Sequence, residues 1–295
     1  MPLLGLAGPK TAVIVLSDLH GDIDALTSIG QSTGLISETF DWIGGTKKLV
    51  IAGDFVGKSN RSRSMIEVLM LLESRAAQAG GEVISLLGNW EADLLLQNVD
   101  RFTTKDLNRF LVSPLSPDPV QELAKVSTLV HWLRTRAAIW EFGNIMISHA
   151  GPTKELVTSS PSDVNRQIQQ ALAKREGHAL LDGQGPLDRN SRPSERLLDQ
   201  LRKKYGWTRF VVGHEPTASK HIELSDPILG DRWVRIDSSI SRWSSDTGST
   251  EALLIAQDGS LSVHQGKTID EAGKGLRKLA AQALCASSVE AILKK

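Results

Sequence analysis

Six residues of metal-ligating type recur along this chain: Asp18 and His20 in Ser-Asp-Leu-His-Gly-Asp, Asp54 in Ala-Gly-Asp, Asn89 in Leu-Gly-Asn-Trp-Glu, His149 in Ser-His-Ala-Gly and His214 in Val-Gly-His-Glu. Carboxylate, imidazole and amide oxygen together suit a pair of borderline divalent ions, Mn, Fe or Zn. One shared carboxylate can bridge two such ions about 3.5–4 Å apart, the spacing used for phosphoryl chemistry. Asp54 is the natural bridge. Taken singly, each residue reads equally well as a capping Asp or a satisfied loop His; the set is harder to explain that way.

The elements that must position these residues are short apolar runs. Val13-Ile-Val-Leu16, Leu49-Val-Ile-Ala52, Val83-Ile-Ser-Leu-Leu87, Asn144-Ile-Met-Ile147 and Phe210-Val-Val212 are β-rich and bounded by Gly, Asp or His. They are continuous rather than alternating, which predicts strands covered on both faces. Each ligand follows its run directly, so the ligands converge where strands emerge into loops. Helical periodicity falls between the runs, over residues 23–29 and 65–79. Val234, Ile236, Leu253–Ile255 and Leu261–Val263 add two or three further strands. The polar stretch 98–125, with Pro114, Pro117 and Pro119, reads as an excursion over the sheet. A second excursion, about 152–205, holds helix-like parts at 163–175 and 194–204, and such inserts commonly wall a cleft. These features predict a domain over 1–268 with that helical insert, followed by a C-terminal helix over 269–295.

Composition narrows the class. The chain has 295 residues, with 34 Lys plus Arg against 34 Asp plus Glu, so no bulk field favours nucleic acid or an anionic membrane. Cys285 is alone, which excludes an internal disulfide and leaves cysteine out of the metal site. No apolar run approaches the ~20 residues of a membrane span, and no basic region precedes a long apolar stretch. The expectation is a cytoplasmic protein without nucleic-acid or membrane partners. Gly57-Lys58-Ser59 is not a phosphate loop, because the required first glycine position is occupied by Ala52.

The order Asp-x-His-Gly, Gly-Asp, Gly-Asn-x-Glu, His-Ala-Gly, Gly-His resembles the calcineurin-like metallophosphoesterases. Between the motifs, Gly34-Leu-Ile36, Trp42-Ile-Gly-Gly45, Ala79-Gly-Gly81, Leu86-Leu-Gly-Asn89, Gly185-Pro-Leu187 and Val211-Val-Gly-His214 resemble the Shewanella-like protein phosphatases, a branch of the phosphoprotein phosphatases. The resemblance extends over about 13–263. It implies an α/β fold, a central β-sandwich flanked by helices, with a dinuclear metal site at the strand ends. It also implies that Asp18, His20 and Asp54 hold one divalent ion, that Asp54, Asn89, His149 and His214 hold the other, and that hydroxide between the ions attacks phosphorus.

The chain departs from that pattern at two linked places. Where the family reads Gly-Asp-x-Val-Asp-Arg-Gly, this chain has Gly53-Asp-Phe-Val-Gly-Lys-Ser59, so Gly57 and Lys58 replace the second Asp and the Arg. Where the family reads Gly-Asn-His-Glu, Trp90 replaces the His. In the family that Asp orients that His, which protonates the leaving oxygen; both members are missing. Lys58 retains a point charge for phosphate but lacks the fork of Arg. Arg189 lies one position from the family's phosphate-facing Arg, and Arg192 competes for the role. Glu91, Glu215 and His221 are candidate replacement acids. Trp90 offers either a stacking surface for a base or aryl ring or a packed wall that closes the cleft.

Loss of a positioned general acid costs about 10²–10⁴ in rate. The expected function is therefore a metal-dependent phosphatase with Asp54, Asn89, Lys58, Arg189 and Trp90 at the reaction site. Its substrate would be a phosphomonoester or phosphoanhydride of a small molecule or phosphoprotein. The alternative is a catalytically silent pseudophosphatase that binds a phosphorylated ligand or protein.

Overall fold

The computed structural model describes residues 11–111, 119–175, 185–188, 192–241 and 249–266. Strands β1 (Thr11–Leu16), β2 (Lys48–Ala52) and β3 (Glu82–Leu86) run parallel, alternating with helices α1 (Ile23–Ser32) and α2 (Ser62–Gln78). Asn89–Leu96 (α3), Thr104–Leu111 (α4) and Pro119–Arg134 (α5) follow. Next come β4 (Ile139–Phe142), β5 (Ile145–Ser148), α6 (Pro161–Lys174), α7 (Glu195–Tyr205), β6 (Arg209–Val212), β7 (Trp233–Arg235), β8 (Glu251–Ala256) and β9 (Leu261–Gln265).

Two sheets result, ordered β3-β2-β1-β8-β9 and β4-β5-β6-β7. The continuous apolar runs of β1, β2, β5 and β6 serve both faces of their sheets. Val13, Val15, Val50 and Ala52 share one core cluster with Ile145, Ile147, Val211 and Val234 of the second sheet. Ile14, Leu16, Leu49 and Ile51 point the other way, into the cluster that includes Leu26, Met65 and Leu69 of α1 and α2. The fold is thus the expected β-sandwich flanked by helices. Among the described residues no helix is long and apolar enough to cross a membrane.

The stretch 98–125 differs from a bare excursion. It contains a 3₁₀ turn at Val99–Arg101, then α4 and the start of α5. Pro119 stands at the first position of α5, where its fixed φ and missing N–H cost nothing. That proline marks a helix start that looks like a loop signal in sequence. The antiparallel hairpin of β4 with β5 was likewise not anticipated. The expected helix over 269–295 and Arg189 lie outside the described residues.

Candidate metal centre

Every predicted ligand lies just beyond the carboxyl end of a parallel strand. Asp18 follows β1, Asp54 follows β2, Asn89 opens α3 after β3, His149 follows β5 and His214 follows β6. The loops are bound together by their backbones: Asp18 N–H donates to Gly53 O at 3.1 Å, His20 N–H to Asp54 O at 2.9 Å and Gly213 N–H to His149 O at 2.9 Å. His214 N–H crosses between the sheets to Asp18 Oδ2 at 3.1 Å. Four of the six, Asp18, His20, Asp54 and His214, have positive φ, between 44° and 73°. That conformation costs about 1–2 kcal/mol per non-glycine residue, and such strain concentrates where side chains must be aimed.

The side chains converge. Ligand atoms of Asp18, Asp54 and His149 all lie within 4.8 Å of one another, and all three residues are buried. His20 Nε2 is 3.9 Å from Asp18 Oδ1 and 4.0 Å from Asp54 Oδ2. His149 Nε2 is 3.3 Å from Asp54 Oδ1 and 3.2 Å from Asn89 Oδ1. His214 Nδ1 is 3.1 Å from His149 Nε2.

Each imidazole uses its outer nitrogen as a donor. His20 Nδ1–H donates to Val56 O and His149 Nδ1–H to Ala52 O, both at 2.9 Å. His214 Nε2–H reaches Asp188 Oδ1 at 3.2 Å. The inner nitrogen of His20, and that of His149 once it gives up its proton, therefore face the carboxylates with a lone pair, the arrangement that second partners impose on metal-ligating histidines. The buried His20 Nε2 makes no hydrogen bond at all. One terminal atom of the Asn89 amide lies 3.1 Å from both carboxylate oxygens of Asp54, where its oxygen suits a bound cation and its NH₂ suits the metal-free cluster. Acceptors aimed at acceptors repel one another unless a cation lies among them, so the donor set fits divalent ions.

Electrostatics agree. Burial alone would lower His149, but Asp54 and Asp18 outweigh it and hold its pKa up at about 10. Burial would likewise raise Asp54, yet His149 draws it down to about 2. Burial lowers His20 to about 4, leaving it neutral, and raises Asp18 to about 6. The cluster thus favours positive charge, and a proton on His149 supplies it in part.

Several candidate residues take other places. Glu91 is fully buried, and its carboxylate accepts N–H bonds from Asp54 at 2.9 Å, Val56 at 2.9 Å and Gly88 at 2.7 Å. It is a bracket for the Asp54 loop, not a replacement acid facing substrate; its position three residues after the helix-capping Gly88 was the available signal. The glycine is required there, since a Cβ would lie 2.3 Å from Asp54 Oδ1. His221 Nδ1 is engaged by Glu251 at 2.7 Å. Arg192 is paired with Asp226 at 2.9 Å and lines a small pocket with His214, Glu215 and Arg235. Lys58 is exposed, on the loop that follows Asp54.

Trp90 is a packed wall. It is 6% exposed, its ring meets His20 and Phe102 edge-on at 5.6 and 5.1 Å, and the guanidinium of Arg101 lies over it at 4.4 Å. Two residues at the site were missed. Asp188, the partner of His214, is separated from it by α7 and β6, and nothing local marks it. Asp237, buried beyond β7 and pushed up to about 8 by burial and by Asp18, follows the apolar run ending at Ile236 and was detectable by the strand-end argument.

This fold and cluster are those of a metallophosphoesterase. The calcineurin-like phosphoesterase family pattern matches residues 11–234, and the chain belongs to that family. Shewanella-like protein phosphatase 2 of Arabidopsis thaliana is 27% identical over 100 residues, covering 34% of this chain and 26% of that protein. Shewanella-like protein phosphatase 1 of Plasmodium berghei is 24% identical over 238 residues, covering 71% of this chain and 62% of that protein. The chain thus spans less than two thirds of the length of these relatives. A cold-active protein-tyrosine phosphatase of a psychrophilic Shewanella species shares the fold, with a TM-score of 0.65, 20% identity and coverage of 86% of this chain and 80% of that one.

Proposed function

We propose that this chain is a metal-dependent phosphatase that works without an imidazole general acid and so favours substrates whose leaving group departs as a stable anion. The observation that supports this most is the closeness of Trp90 to Gly57: a Cβ on Gly57 would lie 2.0 Å from Cε3 of the indole. The ring fills the space in which a carboxylate–imidazole pair would stand. In this reading Asp18, His20 and Asp54 hold one divalent ion and Asp54, Asn89, His149 and His214 the other, with Mn, Fe or Zn suited to the mixed oxygen and nitrogen donors. When bound, the ions supply Lewis acidity toward phosphoryl oxygens and make water a nucleophile at neutral pH. Asp188 fixes the ring of His214, Glu91 fixes the loop that aims Asp54, and Lys58 contributes positive charge at the rim.

An alkoxide from phosphoserine leaves poorly without a proton, whereas a phenolate or the phosphate of an anhydride leaves readily. Phosphoprotein and small-molecule substrates are both open to the site, and the leaving group sorts them. The test is a metal-reconstituted assay on an aryl phosphate, a phosphoserine peptide and a dinucleoside polyphosphate. Turnover should be much faster on the aryl phosphate or anhydride than on phosphoserine. Comparable rates on all three would reveal a replacement acid. The same wall also supports a second reading, a binding module for phosphorylated ligands, and metal-loaded protein inert toward all three substrates would favour it.

A further inference from the structure

Arg101 ends the 3₁₀ turn after α3, and its side chain is 50% exposed at the rim of the metal cluster. Two contacts fix it. Its guanidinium lies 4.4 Å over the indole of Trp90, and Nη1–H donates to Asp93 Oδ2 at 2.8 Å. Arg is well suited to both, as a planar cation that stacks on aromatics and binds carboxylates. Nη1 also comes within 3.1 Å of the side-chain amide of Asn89.

The orientation of that amide gives the contact its meaning. With the Asn89 oxygen turned toward Asp54 and His149, the orientation that ligates a cation, its NH₂ faces Arg101 Nη1. The two nitrogens then face each other beside the metal cluster. A pair of donors at 3.1 Å repels, and an oxyanion accepting from both removes the repulsion. One face of Asn89 thus meets a cation and the other fits an anion.

We propose that Arg101 is a phosphoryl-binding residue of this centre: seated on Trp90, it and the Asn89 amide grip one phosphoryl oxygen of the substrate. This rests on the phosphatase reading and extends it. The tryptophan that displaces the acid pair also provides the platform for an arginine, so fixed positive charge stands where a proton donor is lost. Arg101 donates hydrogen bonds and transfers no proton, which suits substrates that arrive and leave as multiply charged anions.

The competing role for Arg101 is purely structural. In the opposite amide orientation Asn89 donates to Asp54 and accepts from Arg101, and the arginine would only hold Asn89. Arg101→Met and Arg101→Lys separate the two roles, because methionine keeps apolar contact with the indole while removing the charge. The measurements are metal content, inorganic phosphate affinity by calorimetry on the metal-reconstituted protein, and kcat and KM on an aryl phosphate. Arg101→Met should retain metal and bind phosphate about 10- to 100-fold more weakly, the scale of a charged hydrogen bond. Arg101→Lys should recover only part of that loss. Phosphate affinity unchanged within twofold in Arg101→Met, or no phosphate binding by the metal-loaded wild type, would overturn the proposal. A wild type that binds phosphate but hydrolyses nothing would remove the hydrolase reading alone, and the affinity series would still decide the role of Arg101.

Discussion

The indole of Trp90 lies against Gly57 so closely that a glycine Cβ would sit 2.0 Å from Cε3, 2.5 Å from Cδ2 and 2.7 Å from Cζ3. Gly57 and Trp90 are therefore one structural unit: the large ring requires the absent side chain. Gly57 also has φ +81° and donates its N–H to Ser62 Oγ at 2.9 Å, which fixes the loop in a conformation that suits glycine.

That relationship predicts strong coupling between the positions. Gly57→Asp alone should destabilise the fold by about 2–5 kcal/mol, from overpacking plus left-handed strain. Introduced together with Trp90→His, the same Asp should cost only the strain. Thermal melting of the four proteins in the cycle measures this directly. In phosphoserine hydrolysis, Trp90→His alone should help little, since an imidazole without its carboxylate has no fixed tautomer. The double variant should exceed the product of the singles. Additive melting temperatures would show that the loop relaxes away from the ring.

Metal uptake should depend steeply on pH. In the metal-free protein His149, held near 10 by Asp54 and Asp18 against the effect of burial, carries a proton at neutral pH. A metal ion must displace it, so affinity should rise about tenfold per pH unit between about 6 and 10. Below about 6 Asp18 also becomes protonated, and the dependence should steepen. Because the folded pKa of His149 lies above its usual 6.5, its contribution to metal-free stability is full below 6.5 and is lost as pH rises through about 10. Calorimetry in buffers of different ionisation enthalpy should detect at least one proton released per chain at pH 7.5. Release of none would show that His149 is neutral before metal arrives.

Glu91→Gln tests the bracket beneath the centre. Both carboxylate oxygens of Glu91 accept backbone N–H groups, from Asp54 and Gly88 on one side and Val56 on the other. A glutamine has one acceptor oxygen, so an NH₂ must face a buried N–H. The expected loss is about 1–3 kcal/mol, with lower metal occupancy because the Asp54 loop is no longer fixed. Melting and elemental analysis together check it; full stability with full metal would mean that the loop holds its shape without Glu91.

The sequence alone determined most of the strands, the Asp, His and Asn side chains at their ends and the presence of Gly57 and Trp90, because these are local: a short apolar run is its own signal, and a motif's residues lie within a few positions of one another. It also left real ambiguities. Pro119 looked like part of a loop and opens a helix, Glu91 looked like a candidate acid and is a buried bracket, and Trp90 could equally have been a stacking surface or a wall. Only the tertiary structure decided these, since each depends on what lies on the other side of a gap. Trp90 became a wall because Gly57, on a different loop, has no Cβ to hold it off. Asp188 became a partner of His214 and Arg101 a neighbour of Asn89 because packing closes distances that chain separation hides. A side chain's type states what it can bind, and the packing around it selects which partner it meets.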